Sequence, residues 1–171
     1  MKGYTQVYTG NGKGKTTAAV GLTVRAAGAG LRVYFGQFLK AGDSAEMCAI
    51  SKHLACVTVE SFGDGRFVRG APTRKCVAAV ARGLDRISLA LSSRKYDVVV
   101  ADEINVAVAL GLLQLENVLD LVRNKPANVE LVLTGRGADR RLRRLADLVT
   151  DFRCAKHYYC TGVTARKGIE R

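Results

Sequence analysis

Tryptophan is absent from the 171 residues, and proline and histidine occur twice each. Aromatic residues make up only 6% of the chain, few for a protein that would stack nucleic-acid bases on its surface. No apolar run approaches the ~20 residues needed to span a bilayer. The N-terminus lacks a signal-peptide core, because the strand-like "YTQVYTG" and a glycine loop follow almost at once, so a cytoplasmic protein is expected. The five cysteines, Cys48, Cys56, Cys76, Cys154 and Cys160, are odd in number and form no CxxC pair, which fits reduced thiols better than a disulfide scaffold. Cys154, His157 and Cys160 are evenly spaced in "CAKHYYC" and could offer three soft ligands. A closed zinc site usually needs four, and no fourth stands nearby.

What is present is an apolar content of 48%, enough for one substantial core, so residues 1–171 are expected to form one α/β domain. Lys and Arg number 27 against 15 Asp and Glu, a net charge of +12 that would attract nucleic acid, phosphorylated small molecules or anionic surfaces. Charge alone does not choose among them. The densest cluster, "GRGADRRLRR" with Arg136, Arg140, Arg141, Arg143 and Arg144, reads as a solvated helix face ahead of a binding patch.

Short β-branched or aromatic runs alternate with helix-period segments, without a long linker, low-complexity tract or internal repeat. The runs predict strands at Tyr4 to Tyr8, Leu31 to Phe38, Val57 to Phe62, Asp97 to Ala101, Val129 to Thr134 and Leu148 to Phe152. Continuous apolar stretches such as "VVVA" and "LVL" predict strands covered on both faces. After Pro72 and a Thr73 cap, Val77, Val80, Leu84, Ile87 and Leu91 form a helical stripe. Leu115, Val118, Leu119 and Val122 repeat the pattern before Pro126. Right-handed crossovers between parallel strands would bring the strand C-termini, and any ligand site, to one edge.

Three motifs fall at those ends. In "GNGKGKTT", Gly10, Gly12 and Gly14 let the backbone approach a polyphosphate, Lys15 brings a positive charge on a long arm, and Thr16 has a hydroxyl able to ligate magnesium. Only three residues separate Gly10 from Gly14, one fewer than in the usual phosphate loop, and Thr9 takes the usual glycine position. Such a loop need not align a terminal phosphate for attack. In "VVVADE", an apolar strand delivers Asp102 and Glu103, a pair suited to Mg²⁺ or simply to capping the following turn; in extended chain the two would point apart. In "LTGRG", Arg136 sits in a flexible turn, either neutralising polyphosphate or facing solvent. Arg25, on the helix after the loop, has the same two readings.

Taken in order, "TGNGKGKTTAAVGLTVRAAGAG", "VYFGQFLKAG", "YDVVVADEINVAVALGLL", "VELVLTGRG", "LADLVTDFR" and "KH...GVTARKGIE" resemble the phosphate-loop ATP:corrinoid adenosyltransferases, the cob(I)yrinic acid a,c-diamide adenosyltransferase family, from about Thr9 to Glu170. The resemblance implies an α/β, RecA-like phosphate-loop NTPase fold, a mostly parallel sheet of about six strands with helices on both faces. It implies a homodimer that moves the 5′-deoxyadenosyl group of ATP to the cobalt of a reduced corrinoid and releases triphosphate, with Mg²⁺ or Mn²⁺ accompanying the ATP. A corrinoid-reducing electron-donor protein is an implied partner; nucleic acid and membrane are not. In this family the nucleotide lies reversed in the loop, which would account for its shortness. Cobalt(I) is itself a strong nucleophile, so no Ser, Cys or general base is needed; the protein positions the reactants and stabilises the leaving triphosphate.

Carried over by position, Gly10, Asn11, Gly12, Lys13, Gly14, Lys15, Thr16 and Thr17 would grip the triphosphate, with Lys15 and Lys13 stabilising its charge. Thr16, Glu103 and Asp102 would hold the metal. Arg25, Gln37 and Arg136 would contact the nucleotide, while Lys40, Lys156 and His157 match family positions without an assigned role. The chain departs from the family at "GDGRFVRGAP", Gly63 to Pro72, where several members have an aromatic "GFTWE" segment over the corrinoid: Phe67 remains, but Val68 and Arg69 replace tryptophan and an acid. Two other readings use the same motifs. A nucleic-acid-dependent RecA-like ATPase would exploit the +12 charge, and a regulatory subunit would bind ATP without turnover.

Overall fold

A computed structural model describes residues 2–40, 44–63 and 72–170. Six strands, β1 (Thr5–Thr9), β2 (Val33–Phe38), β3 (Val57–Phe62), β4 (Val98–Asp102), β5 (Glu130–Thr134) and β6 (Leu148–Asp151), form one sheet in the order β3-β2-β4-β5-β1-β6. Every pairing is parallel. Between the strands run α1 (Lys15–Gly28), α2 (Ala45–His53), α3 (Arg74–Ser92), α4 (Ile104–Ala109), α5 (Leu115–Arg123) and α6 (Arg140–Leu145). The expected α/β architecture and all six expected strands are present.

The apolar continuity of the central strands follows from burial on both faces. On β4, Val98 and Val100 pack with Ala19 and Ala26 of α1 and with Met47 and Ile50 of α2. Their neighbours Val99 and Ala101 pack on the other face with Val80 and Ile87 of α3, Ile104 of α4 and Leu119 of α5. Alternation sends successive side chains to opposite faces, so a strand in the middle layer must be apolar throughout. Phe35, Phe38, Leu131 and Leu133 are fully buried, each contributing roughly 1.5–3 kcal/mol of transfer free energy. Edge strand β6 (LVTD) lacks such a continuous apolar run, and all four of its residues are exposed.

Helix α3 begins as its sequence predicts, with the Thr73 hydroxyl accepting the Cys76 N–H at 3.1 Å. Its buried stripe is Cys76, Val80, Gly83, Ile87, Ala90 and Leu91, with Leu84 half-buried. Val77 falls outside it and is exposed. One residue of helical rotation separates Val77 from Cys76, and the smaller side chain faces the sheet. Helix α5 buries Val118, Leu119, Leu121 and Val122 and ends at Arg123, ahead of Pro126.

The strand order puts β5 between β1, which leads into the glycine loop, and β4, which carries the carboxylates. With all strands parallel, Thr9, Gln37, Asp102 and Thr134 come to the same sheet edge. Helix α1 starts at that edge and packs against β4 and β5, which carries its first turn across the gap. Among the described residues, no helix is long and apolar enough to cross a membrane.

Candidate active site

The glycine loop turns sharply into α1. Gly14 has φ 118° and precedes the helix without any side-chain cap, so the first N–H groups of α1 have no capping acceptor of their own. Lys15 is buried, and its ammonium arches back over the loop to donate to the carbonyls of Gly10 at 2.8 Å and Gly12 at 2.7 Å. Burial, reinforced by nearby Arg136, pushes the Lys15 pKa down, while Glu103, Asp102 and Asp151 act the other way. An arriving anion would offset both effects by favouring the charged ammonium.

Asp102 is fully buried and accepts from three donors. Its Oδ1 accepts the hydroxyls of Thr16 at 2.9 Å and Thr134 at 2.6 Å, and its Oδ2 accepts the Gln37 amide at 3.0 Å. Gln37 is held in turn by the Ser44 hydroxyl at 3.3 Å. Glu103 does not continue the strand. It adopts left-handed φ 62° and ψ 15° at the start of α4, with its N–H donating to Thr134 at 3.0 Å. This backbone switch gives the adjacent carboxylates different surroundings. Burial raises the Glu103 pKa, with the Asp102 charge adding to the effect and Lys40, Lys15 and Arg136 opposing it.

Arg136 is exposed at the tip of the turn between Gly135 and Gly137, electrostatically coupled to both Lys15 and Glu103. The base of that turn is fixed from α4, where the buried Asn105 amide donates to the Gly135 carbonyl at 3.4 Å. Lys15, Thr16, Gln37, Asp102, Glu103 and Arg136 therefore form one constellation. Arg25 does not join it: ten residues along α1, about 15 Å of helical rise from Lys15, it is exposed and couples instead to Tyr8. Asn11 and Thr17 are exposed on the loop and first helical turn. Asn11 lines a cleft of about 560 Å³ with Thr9, Gly10, Arg143, Phe152 and Arg153.

Lys13 points to the C-terminal segment, donating to Tyr158 Oη at 3.2 Å and to Glu170 at 3.1 Å. His157 accepts the Tyr159 N–H at 3.1 Å and so caps the short 3₁₀ turn Tyr158–Thr161. Lys156 is exposed, and Lys40 lies 3.8 Å from Glu46. Among the described residues no three His, Cys, Asp or Glu side chains are grouped to hold a metal, which includes Cys154, His157 and Cys160. The substituted positions Phe67, Val68 and Arg69 lie outside the described residues.

Thr134, Phe152, Tyr158 and Glu170 are neighbours of the site that motif reasoning did not single out. Thr134 carried a signal, a lone hydroxyl ending the apolar run "LVL". The others carried none, because the glycine-loop residues they meet lie more than a hundred residues away.

A buried lysine in a glycine loop, a hydroxyl at the helix start and two carboxylates at a neighbouring strand end are the parts of a nucleotide–metal site. The family model for ATP:corrinoid adenosyltransferase BtuR/CobO/CobP matches residues 1–171. The chain belongs to this family. Among similar ATP:corrinoid adenosyltransferases is the corrinoid adenosyltransferase CobA of Salmonella typhimurium, 36% identical over 99% of this chain and 86% of its own length. Corrinoid adenosyltransferases of Escherichia coli and Pseudomonas aeruginosa are 34% and 32% identical, again over 99% of this chain, and over 86% and 84% of their own lengths.

Proposed function

We propose that this protein transfers the 5′-deoxyadenosyl group of ATP to the cobalt of a reduced corrinoid and releases triphosphate. The observation that carries the reading is the family match across residues 1–171. The cluster of Lys15, Thr16, Asp102, Glu103 and Arg136 supports it in chemical terms. The Co–C bond forms as the cobalt(I) electron pair attacks the ribose 5′ carbon, and the C–O bond to triphosphate breaks with its electrons leaving on oxygen. Accumulating charge on that oxygen and its phosphates is the feature the protein has to stabilise.

In this reading Gly10, Asn11, Gly12, Gly14 and Thr17 line the triphosphate, and Lys15 and Lys13 meet its charge. The donors present suit a hard cation, since Thr16, Glu103 and Asp102 offer only oxygen and Mg²⁺ or Mn²⁺ takes its remaining ligands from phosphate and water. Such a cation would neutralise charge on the departing triphosphate. Asp102, occupied by three donors, fixes the Thr16 hydroxyl, while the half-buried Glu103 lies within the electrostatic influence of Lys40, Lys15 and Arg136. Gln37 acts through Asp102, being buried beneath it. Arg136 meets the nucleotide from the turn, and Arg25, further along α1, serves the far end of a reversed nucleotide.

The proposal extends to one domain acting as a cytoplasmic homodimer, supplied with reduced corrinoid by an electron-donor protein. It takes cob(I)yrinic acid a,c-diamide as an acceptor. Incubation with ATP, Mg²⁺ and chemically reduced corrinoid is expected to give a light-sensitive cobalt–carbon bond and free triphosphate. Release of ADP and phosphate alone would overturn the reaction. Running cobyrinic acid a,c-diamide and cobalamin in parallel tests the acceptor, through the larger kcat/KM.

A further inference from the structure

The chain beyond β6 returns to the glycine loop and grips it at two points. At the first, the Phe152 carbonyl accepts the Gly12 N–H at 2.6 Å, so that loop donor is already engaged by backbone. At the second, Glu170 collects groups from three places. Its Oε1 accepts from Lys13 of the loop at 3.1 Å, from Arg166 at 3.0 Å, and from the Tyr158 hydroxyl in a short contact. Its Oε2 accepts the Arg166 backbone N–H at 2.8 Å and Nε at 3.2 Å. The Lys13 ammonium also donates to Tyr158 Oη at 3.2 Å and to the Ile169 carbonyl at 3.1 Å, and the Arg166 guanidinium lies 5.0 Å from the Tyr158 ring centre.

These contacts do more than tie down a chain end. Lys13 has a long, entropically free side chain, and three acceptors fix its head in one place. Arg166 is brought to the same carboxylate, so two cations stand side by side next to the loop where one carboxylate cannot neutralise both. Its donors hold Glu170 well below the usual carboxylate range, Arg166 being the largest cause and Tyr158 the next.

We propose that Glu170 is a positioning residue for the phosphate loop: by binding Lys13, Tyr158 and Arg166 together, it makes residues 158–170 the outer wall of the nucleotide site and presents Lys13 to the triphosphate. This rests on the reading that the loop holds the triphosphate of ATP. Glu170 touches neither substrate nor reacting atoms; it acts through Lys13.

The test measures binding of inorganic triphosphate with Mg²⁺ to the full chain, without corrinoid, for Glu170→Gln, Lys13→Met and the double variant. Each single change is expected to weaken binding by roughly two- to fivefold, the scale of a partly exposed charge pair, and the double variant to bind no more weakly than Lys13→Met. Tryptic cleavage after Arg166 and Lys167 is expected to accelerate in Glu170→Gln. Tyr158→Phe, which removes one donor and keeps the ring, is expected to shift both readouts the same way by less. Unchanged or tighter triphosphate binding in Glu170→Gln, additive losses in the double variant, or unchanged cleavage would each overturn the proposal. Because no arm uses corrinoid, failure of adenosyl transfer with these couplings intact would sink the reaction and leave the role of Glu170 standing.

Discussion

Thr16 and Asp102, 86 residues apart in the chain, are joined by a hydrogen bond of 2.9 Å from hydroxyl to carboxylate. The direction of that bond matters. By donating its proton to Asp102, Thr16 keeps its oxygen lone pairs for a cation. Thr134 donates to the same carboxylate oxygen and Gln37 to the other, so one buried charge ties the start of α1 to β2 and β5. The β5 strand lying between β1 and β4 supplies the hydroxyl that bridges the gap.

Replacing Asp102 with asparagine tests this role. An amide keeps the shape, but its NH₂ would face a donor that previously had an acceptor, whichever way it is turned. Leaving one buried donor unpaired costs about 1–3 kcal/mol. Urea denaturation of Asp102→Asn is expected to show a stability loss of that order together with a higher Mg²⁺ requirement. A fully stable variant would mean that the three donors find partners elsewhere.

Lys15 makes its two direct hydrogen bonds to carbonyls of its own loop, so its removal should spare the fold and strike at the chemistry. Lys15→Ala is expected to lower kcat/KM for adenosyl transfer by ~10²–10³, the effect of losing one electrostatic donor at a site of developing charge. Circular dichroism should remain that of the parent. Transfer kinetics unchanged in this variant would remove Lys15 from the mechanism.

Glu103 gives the site a pH dependence with a definite sign. Burial raises its folded pKa, so the folded protein holds the proton more tightly than the unfolded chain. Stability from this group is therefore present at low pH and falls as pH rises from the ordinary carboxylate range through the raised value. Glu103→Gln is expected to flatten that slope. Cation binding runs the other way, since it needs the ionised carboxylate, and Mg²⁺ affinity in the presence of ATP is expected to rise with pH across the same window. A variant whose Mg²⁺ affinity keeps the parent pH profile would show that Glu103 is not the titrating group.

The central strands were legible because buried parallel strands concentrate β-branched and aromatic residues, and the glycine loop because its backbone demands are local. The partnership of Asp102 and Glu103 was legible only as a pair. Their division of labour depends on the left-handed turn at Glu103, which no spacing rule encodes. Gln37 illustrates the converse: its position in "QFLKAG" pointed to the nucleotide, yet its burial sets it against Asp102. Val77 looked like core because it is apolar, whereas the sheet accepts the smaller Cys76 one residue earlier. The meeting of Lys13 and Glu170 spans 157 residues and two oppositely charged side chains with many other formal partners, so periodicity could not reveal it.

Close approach at Gly12 yields a contrast between two glycines of the same region. A Cβ at Gly12 would stand 2.7 Å from the Phe152 carbonyl oxygen and 2.8 Å from the Arg153 carbonyl, both backbone atoms unable to swing aside. Gly12→Ala must therefore push the loop away from the chain after β6, breaking the 2.6 Å bond between Gly12 N–H and Phe152. Overpacking of this kind costs about 1–3 kcal/mol, and the displaced loop is expected to raise the KM for ATP by roughly tenfold. At Gly21, mid-helix in α1, an added Cβ meets nothing within 4 Å. There the change to alanine is expected to stabilise the protein by ~0.5–1 kcal/mol through helix propensity, with ATP kinetics unaltered. Thermal melts and ATP titrations of the two variants decide the matter: equal behaviour at Gly12 and Gly21 would show that the contact with Phe152 does not shape the nucleotide site.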